Sequence, residues 1–111
     1  MKTPKSGITL CALDEIPDPG AVGIELDNGG DILIARLGAT LSAYVNECPH
    51  QGTPLETFPN RFLTRDKQHL LCSPHGARFR IDNGICVRGP CKGEALRPIR
   101  IKISGGKVVT I

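Results

Sequence analysis

Four side chains in this sequence could hold a metal between them. Cys48 and His50 lie two residues apart, Cys72 and His75 lie three apart, and 21 residues separate His50 from Cys72. They occur in Cys48-Pro49-His50-Gln51-Gly52 and Cys72-Ser73-Pro74-His75-Gly76, so each pair is followed by a glycine. Two of the three histidines and two of the five cysteines are used here. Thiolate and imidazole together suit zinc or an iron–sulfur cluster.

Two readings compete. A mononuclear zinc site takes these ligand types. Zinc fingers, however, usually present a cysteine pair and a histidine pair, and no helical pattern surrounds His75. The alternative is a [2Fe-2S] cluster with Cys48 and Cys72 on one iron and His50 and His75 on the other. Each loop then gives one ligand to each iron, which clamps the cluster between two loops.

The two boxes resemble those of the Rieske iron–sulfur proteins, low-potential soluble ferredoxins in particular. Gly89-Pro90 is similar to the Gly-Pro segment that covers the cluster in that family. The resemblance runs through nearly the whole chain. It implies an all-β fold, a Rieske-like antiparallel β-barrel or sandwich base with an inserted cluster-binding subdomain. It implies one [2Fe-2S] cluster held by Cys48, His50, Cys72 and His75. It also implies a carrier of single electrons, from a flavin reductase to the terminal oxygenase of a ring-dioxygenase system, docking near His50 and His75. The small subunit of an assimilatory nitrite reductase and a zinc-stabilised interaction module are the alternatives. The gap between the boxes is a few residues longer than in typical members, and the excess is expected as a surface excursion over Phe58 to Lys67.

Neutral imidazoles in place of two thiolates make a cluster less negative by about two charges, which raises its potential into a range of about −150 to +300 mV. High-potential relatives add a disulfide between the ligand loops and hydroxyl donors near the cluster. Thr53 and Pro74 stand where such cysteines would be sought, and Ala77 follows Gly76. The low end is therefore expected, with a potential that falls as pH rises on the alkaline side.

Positioning four ligands on two loops requires a scaffold, and the sequence predicts strands. Ile8 to Leu13, Ala21 to Leu26, Asp31 to Leu37 and Leu41 to Asn46 read as the first four, with Asp14 to Gly20 a loop. Asp27-Asn28-Gly29-Gly30 is a hairpin closure. In the fourth strand Leu41, Ala43 and Val45 alternate with Ser42, Tyr44 and Asn46, the period of a half-buried strand. Leu55 to Phe62 reads as a helical turn with loop, and His69 to Cys72 as a short strand. Arg78 to Ile81 and Ile85 to Arg88 flank Asp82-Asn83-Gly84, a second hairpin. Leu96 to Ile103 and Lys107 to Ile111 form a last one. One domain is expected over 1–111, with a base at about 1–44 and 91–111 and the cluster-binding subdomain at about 45–90.

Composition bounds the function classes. The chain is 40% apolar, 23% charged and only 4% aromatic, so Val, Ile and Leu must fill a modest globular core. A net charge of +3 is mild and reads as spread along the chain, with Arg97, Arg100 and Lys102 on the wet face of a strand. Without aromatic stacking residues it does not point to nucleic acid. No secretory signal or membrane-spanning run is present, so a cytoplasmic protein with no membrane partner is expected. Five cysteines are an odd number, which suits thiols and metal ligands better than a disulfide framework. No catalytic residue is predicted. His69 reads as an ordinary histidine, Cys11 as a small buried hydrophobe, and Asp14, Glu15 and Asp18 as a solvated loop. Cys86 and Cys91, which flank the Gly-Pro loop, read as free thiols rather than a disulfide or second metal site.

Overall fold

The computed structural model describes residues 3–49 and 52–111. Among these described residues ten strands and one short 3₁₀ turn follow in order. They are β1 (Thr9–Ala12), the turn (Leu13–Glu15), β2 (Gly20–Glu25), β3 (Asp31–Leu37), β4 (Thr40–Val45), β5 (His69–Cys72), β6 (Ala77–Arg80), β7 (Cys86–Arg88), β8 (Pro98–Ile99), β9 (Ile101–Ser104) and β10 (Lys107–Thr110). All pairings are antiparallel. They build three sheets, ordered β1-β10-β9, β2-β3-β4-β8 and β5-β6-β7. This is the expected all-β architecture.

The β2–β3 hairpin closes as its residues dictate. Gly29 sits at φ +88°, a region open to glycine at no steric cost. The Asn28 side chain accepts a bond from the Gly30 amide at 2.9 Å. Pairing then runs in register from Glu25 opposite Asp31 to Gly20 opposite Arg36.

The four-stranded sheet is the middle layer. On one side Ile34 and Ala43 join Ile16 and Val108, with Leu10, Val22, Ile24 and Ile101 packed against them. On the other side Leu33, Ala35 and Tyr44 join Leu70, Cys72, Phe79 and Cys86 of the β5-β6-β7 sheet. β3 is thus covered on both faces, and Ile32, Leu33, Ile34 and Ala35 are each fully buried. This explains an apolar run where a surface strand would alternate.

Three details correct the sequence reading. The Leu96–Ile103 strand is two strands in different sheets: Pro98 and Ile99 pair with β4, while Ile101 to Ser104 pair with β10. The chain changes sheet at Arg100, whose carbonyl accepts the Ile111 amide. Pro98 lacks the N–H that a continuous ladder needs. In β4 the alternation is real but its polar set is not wet. Tyr44 and Asn46 are buried, because that face lies under the ligand-bearing segment. Finally, Phe58 to Lys67 is only partly an excursion. Phe58 is exposed, but Phe62 is fully buried. The chain pairs back onto β5 through Leu63 opposite Leu70 and a Leu71 amide bond to the Phe62 carbonyl. Leu55 to Phe62 contains bends and turns but no helix, and the Asp14–Gly20 loop opens with the 3₁₀ turn.

Candidate metal centre

The two ligand loops are built alike. In the first, the Cys48 amide donates to the Thr53 carbonyl at 2.8 Å, and the Cys48 carbonyl accepts the Gly52 amide at 2.7 Å. In the second, Cys72 pairs with Ala77 in the ladder, and the Cys72 carbonyl accepts the Gly76 amide at 2.8 Å. Each loop therefore closes a cysteine onto the residue five further on. Gly52 at φ +72° and Gly76 at φ +71° make the same left-handed reversal. A side chain at either position would be strained there.

Three hydrogen bonds tie the loops into one unit. The Ser73 amide, just after Cys72, donates to the Leu55 carbonyl at 2.9 Å. The Leu55 amide in turn donates to the buried Asn46 side chain at 2.9 Å, and Asn46 Nδ2 donates to Glu56 at 2.7 Å. Asn46, at the end of β4, is thus the clasp for the segment after the first box. Sequence reading missed it, because a lone asparagine following a strand carries no signal of what it will hold.

The third loop lies against the second box. Gly89 adopts φ +104°, and a Cβ built there would stand 2.8 Å from the Ala77 Cα. No side chain larger than hydrogen fits that approach without backbone movement.

The loops bring Cys48, Cys72 and His75 together, with one ligand atom of each within 4.8 Å of the others. Both cysteines are fully buried, and Cys72 Sγ lies 3.4 Å from His75 Nδ1. The fourth expected ligand, His50, lies outside the described residues. Burial, reinforced by the neighbouring Cys48 sulfur, pushes the Cys72 thiol up to about 11. A thiol so hard to ionise alone becomes a thiolate when a metal cation takes the place of its proton. The donor set therefore fits a soft metal centre. Thr53 Oγ1, one residue after Gly52, is buried with no partner among the described residues.

Of the remaining candidates, Cys86 and Cys91 lie beside this group in the same core, while Cys11 and His69 lie apart from it. Cys86 and Cys91 are free, buried thiols with sulfurs 3.2 Å apart. Cys86 Sγ donates to the Arg88 carbonyl, and burial pushes the Cys91 thiol up to about 12. Cys11 is half-buried against the base core, and His69 is half-buried on β5.

Geometry alone leaves zinc and an iron–sulfur cluster both open. The Rieske [2Fe-2S] domain family model matches residues 7–104. The chain belongs to the Rieske [2Fe-2S] domain family. A Rieske domain binds a [2Fe-2S] cluster, and the chemistry of that domain is one-electron transfer rather than catalysis. Among solved structures, the ferredoxin of carbazole 1,9a-dioxygenase from Nocardioides aromaticivorans IC177 shares the fold at TM-score 0.76 and 19% identity, over 96% of this chain and 97% of that one. The Sphingomonas yanoikuyae B1 ferredoxin does so at TM-score 0.76 and 19% identity, over 94% and 96%. The terminal oxygenase of carbazole 1,9a-dioxygenase from Novosphingobium sp. KA1 contains the same fold in 29% of its length, at TM-score 0.75 and 21% identity over 96% of this chain. No curated protein matches the chain. Among the described residues no helix is long and apolar enough to cross a membrane.

Proposed function

We propose that this Rieske protein is a one-electron carrier between a flavin reductase and a terminal oxygenase, with Cys48, His50, Cys72 and His75 as its cluster ligands. The observation that carries the reading is the convergence of Cys48, Cys72 and His75 in a chain matched along its length by the Rieske family. The likeness to dioxygenase ferredoxins supports the choice of partners. In this reading residues 45–90 form the cluster-binding half, while 1–44 and 91–111 form the base, and the protein works in the cytoplasm.

The bound cluster supplies a site that accepts and releases one electron at a potential raised by its imidazole ligands. The chain does the rest. Cys48 and Cys72 anchor from the buried side, where Leu55, Phe79 and Leu96 exclude water. His75 is half-buried beside them, which places an imidazole between the core and solvent. Gly89 lets the third loop close on the second box. With Ala77 fully buried after Gly76, no hydroxyl donor is available at that position, which favours the low end of the potential range.

Iron and acid-labile sulfide analysis, with electron paramagnetic resonance of the dithionite-reduced protein, tests the assignment. Two irons and two sulfides per chain are expected for this cluster type, with a paramagnetic signal at low average g. Cys72→Ser and His75→Ala should each abolish that signal. One zinc per chain and no signal would leave a zinc-stabilised module instead.

A further inference from the structure

The net charge of +3 conceals a segregation that a reading of charge as evenly spread overlooks. Residues 9–56 carry eight carboxylates and one basic residue, Arg36, while residues 57–111 carry eleven Lys and Arg against three carboxylates. The fold gives this asymmetry a place. On the β5-β6-β7 sheet the inward side chains Leu70, Cys72, Ala77, Phe79 and Cys86 are buried. The outward set includes Arg78, Arg80 and Arg88.

Arg78 stands directly opposite Arg88 across the β6–β7 ladder. Like charges in that position destabilise a sheet. Arg80, farther from the second box, is neutralised by Asp82 at 2.8 Å. Arg78 is two residues past Gly76, and Arg88 immediately precedes Gly89. Neither makes an ion pair or side-chain hydrogen bond among the described residues, and Arg78 reaches Asp66 only as its weakest influence. On the side of the first box, Arg97 lines a hollow of about 280 Å³ with Cys48, Pro49, Gly52 and Glu47. Guanidinium groups left unneutralised beside both ligand loops, at the cost of like-charge repulsion, have the character of a surface awaiting an anion.

We propose that Arg78, Arg88 and Arg97 form a basic docking ring at the cluster-bearing tip, and that it receives an acidic surface of the protein redox partner. The ring rests on the cluster assignment above and names the partner chemistry that the assignment leaves open. A protein surface fits better than nucleic acid. Tyr44, Phe62 and Phe79 are buried, leaving Phe58 as the exposed aromatic and no stacking platform. Complementary charge steers encounter, raises association rates and makes them salt-dependent.

Small redox probes read the sign of this field without a partner in hand. The dithionite-reduced, cluster-loaded protein is mixed with ferricyanide, an anion, or with hexaammineruthenium(III), a cation, across a salt series. The ferricyanide rate constant should fall as salt rises and the ruthenium rate constant should climb, because screening removes attraction in one case and repulsion in the other. Arg78→Gln, Arg88→Gln and Arg97→Gln should each lower the ferricyanide rate at low salt by about threefold, and the matching Lys variants should restore it. Lys107→Gln, the same charge change on β10, should leave it unchanged. Opposite salt slopes, or an equal effect from Lys107→Gln, would overturn the ring while the paramagnetic signal stands. Loss of that signal in the unmutated protein would overturn the cluster reading, and the ring with it. A mobility shift of a short DNA duplex that disappears in the three Gln variants would reassign the surface to nucleic acid.

Discussion

The two cores of this molecule are built on different terms. The base core, around Ile16, Ile34, Ala43 and Val108, is aliphatic and lies between two sheets whose β9–β10 and β2–β3 ladders run in register. The cluster-side core holds four of the five cysteines together with Tyr44, Phe62 and Phe79, and much of its chain is loop. In the base, the structure rests on strand pairing and apolar burial. On the cluster side, reversals at Gly52, Gly76 and Gly89 and the side-chain hydrogen bonds of Asn46 and Tyr44 hold the chain in place. The two cores thus differ in what holds them, paired strands on one side and loops closed at glycines on the other.

Removing the cluster should break the comparison open. With the iron chelated under reducing acid conditions and the protein returned to neutral pH, hydrogen exchange should quicken over the ligand loops and β5 to β7. It should stay slow in β1, β9 and β10 and along β3. Uniform loss of protection would mean that the base depends on the metal as well. Next in size is Gly89→Ala, which must resolve a 2.8 Å approach to Ala77 from a left-handed backbone. A loss of about 1–3 kcal/mol is expected, measured by denaturant unfolding and accompanied by faster bleaching of the visible cluster bands. Tyr44→Phe removes the buried hydroxyl that donates to the Ile81 carbonyl at 2.7 Å. It should cost about 1–2 kcal/mol and leave the reduction potential unmoved. The smallest effect is at Asp66. The Thr64 hydroxyl and the Gln68 amide hold its carboxyl below the usual range. Its contribution is therefore complete above the unfolded-state value of about 3.9 and fades as pH falls through the depressed folded value. In Asp66→Asn, acid unfolding curves should lose that component and match the parent at the lowest pH.

What the sequence disclosed, and what it withheld, follows the range of the interactions. The ligand boxes, the Asn28-Gly29 closure and the Asp82-Asn83-Gly84 turn are local, with the chemistry of each contained in a few neighbouring residues. The closure and the turn are found where the sequence places them, and Cys48, Cys72 and His75 lie together, with His50 outside the described residues. The change of sheet at Arg100, the burial of Phe62 and the clasp at Asn46 depend on partners far along the chain, such as β4, β5 and Leu55. Nothing in their own neighbourhood announces those partners. The polar face of β4 was legible as a pattern but not as a location, because alternation fixes which residues share a face and not what covers it. The segregation of charge needed only counting, yet it acquired meaning once β6 and β7 set Arg78 against Arg88.

β3 separates these two halves, and it has no outside. From Ile32 to Ala35 each side chain is enclosed, alternately by the aliphatic base and by the core beneath the ligands. A change in volume there has no solvent to relax into and is felt on the side it faces. In a saturation-mutagenesis map the strand should appear as a narrow band of intolerance. Arg88 and Arg97, which are exposed, should accept almost any residue when the map reads folding alone. A surface of that kind is free to change while the partition behind it stays fixed.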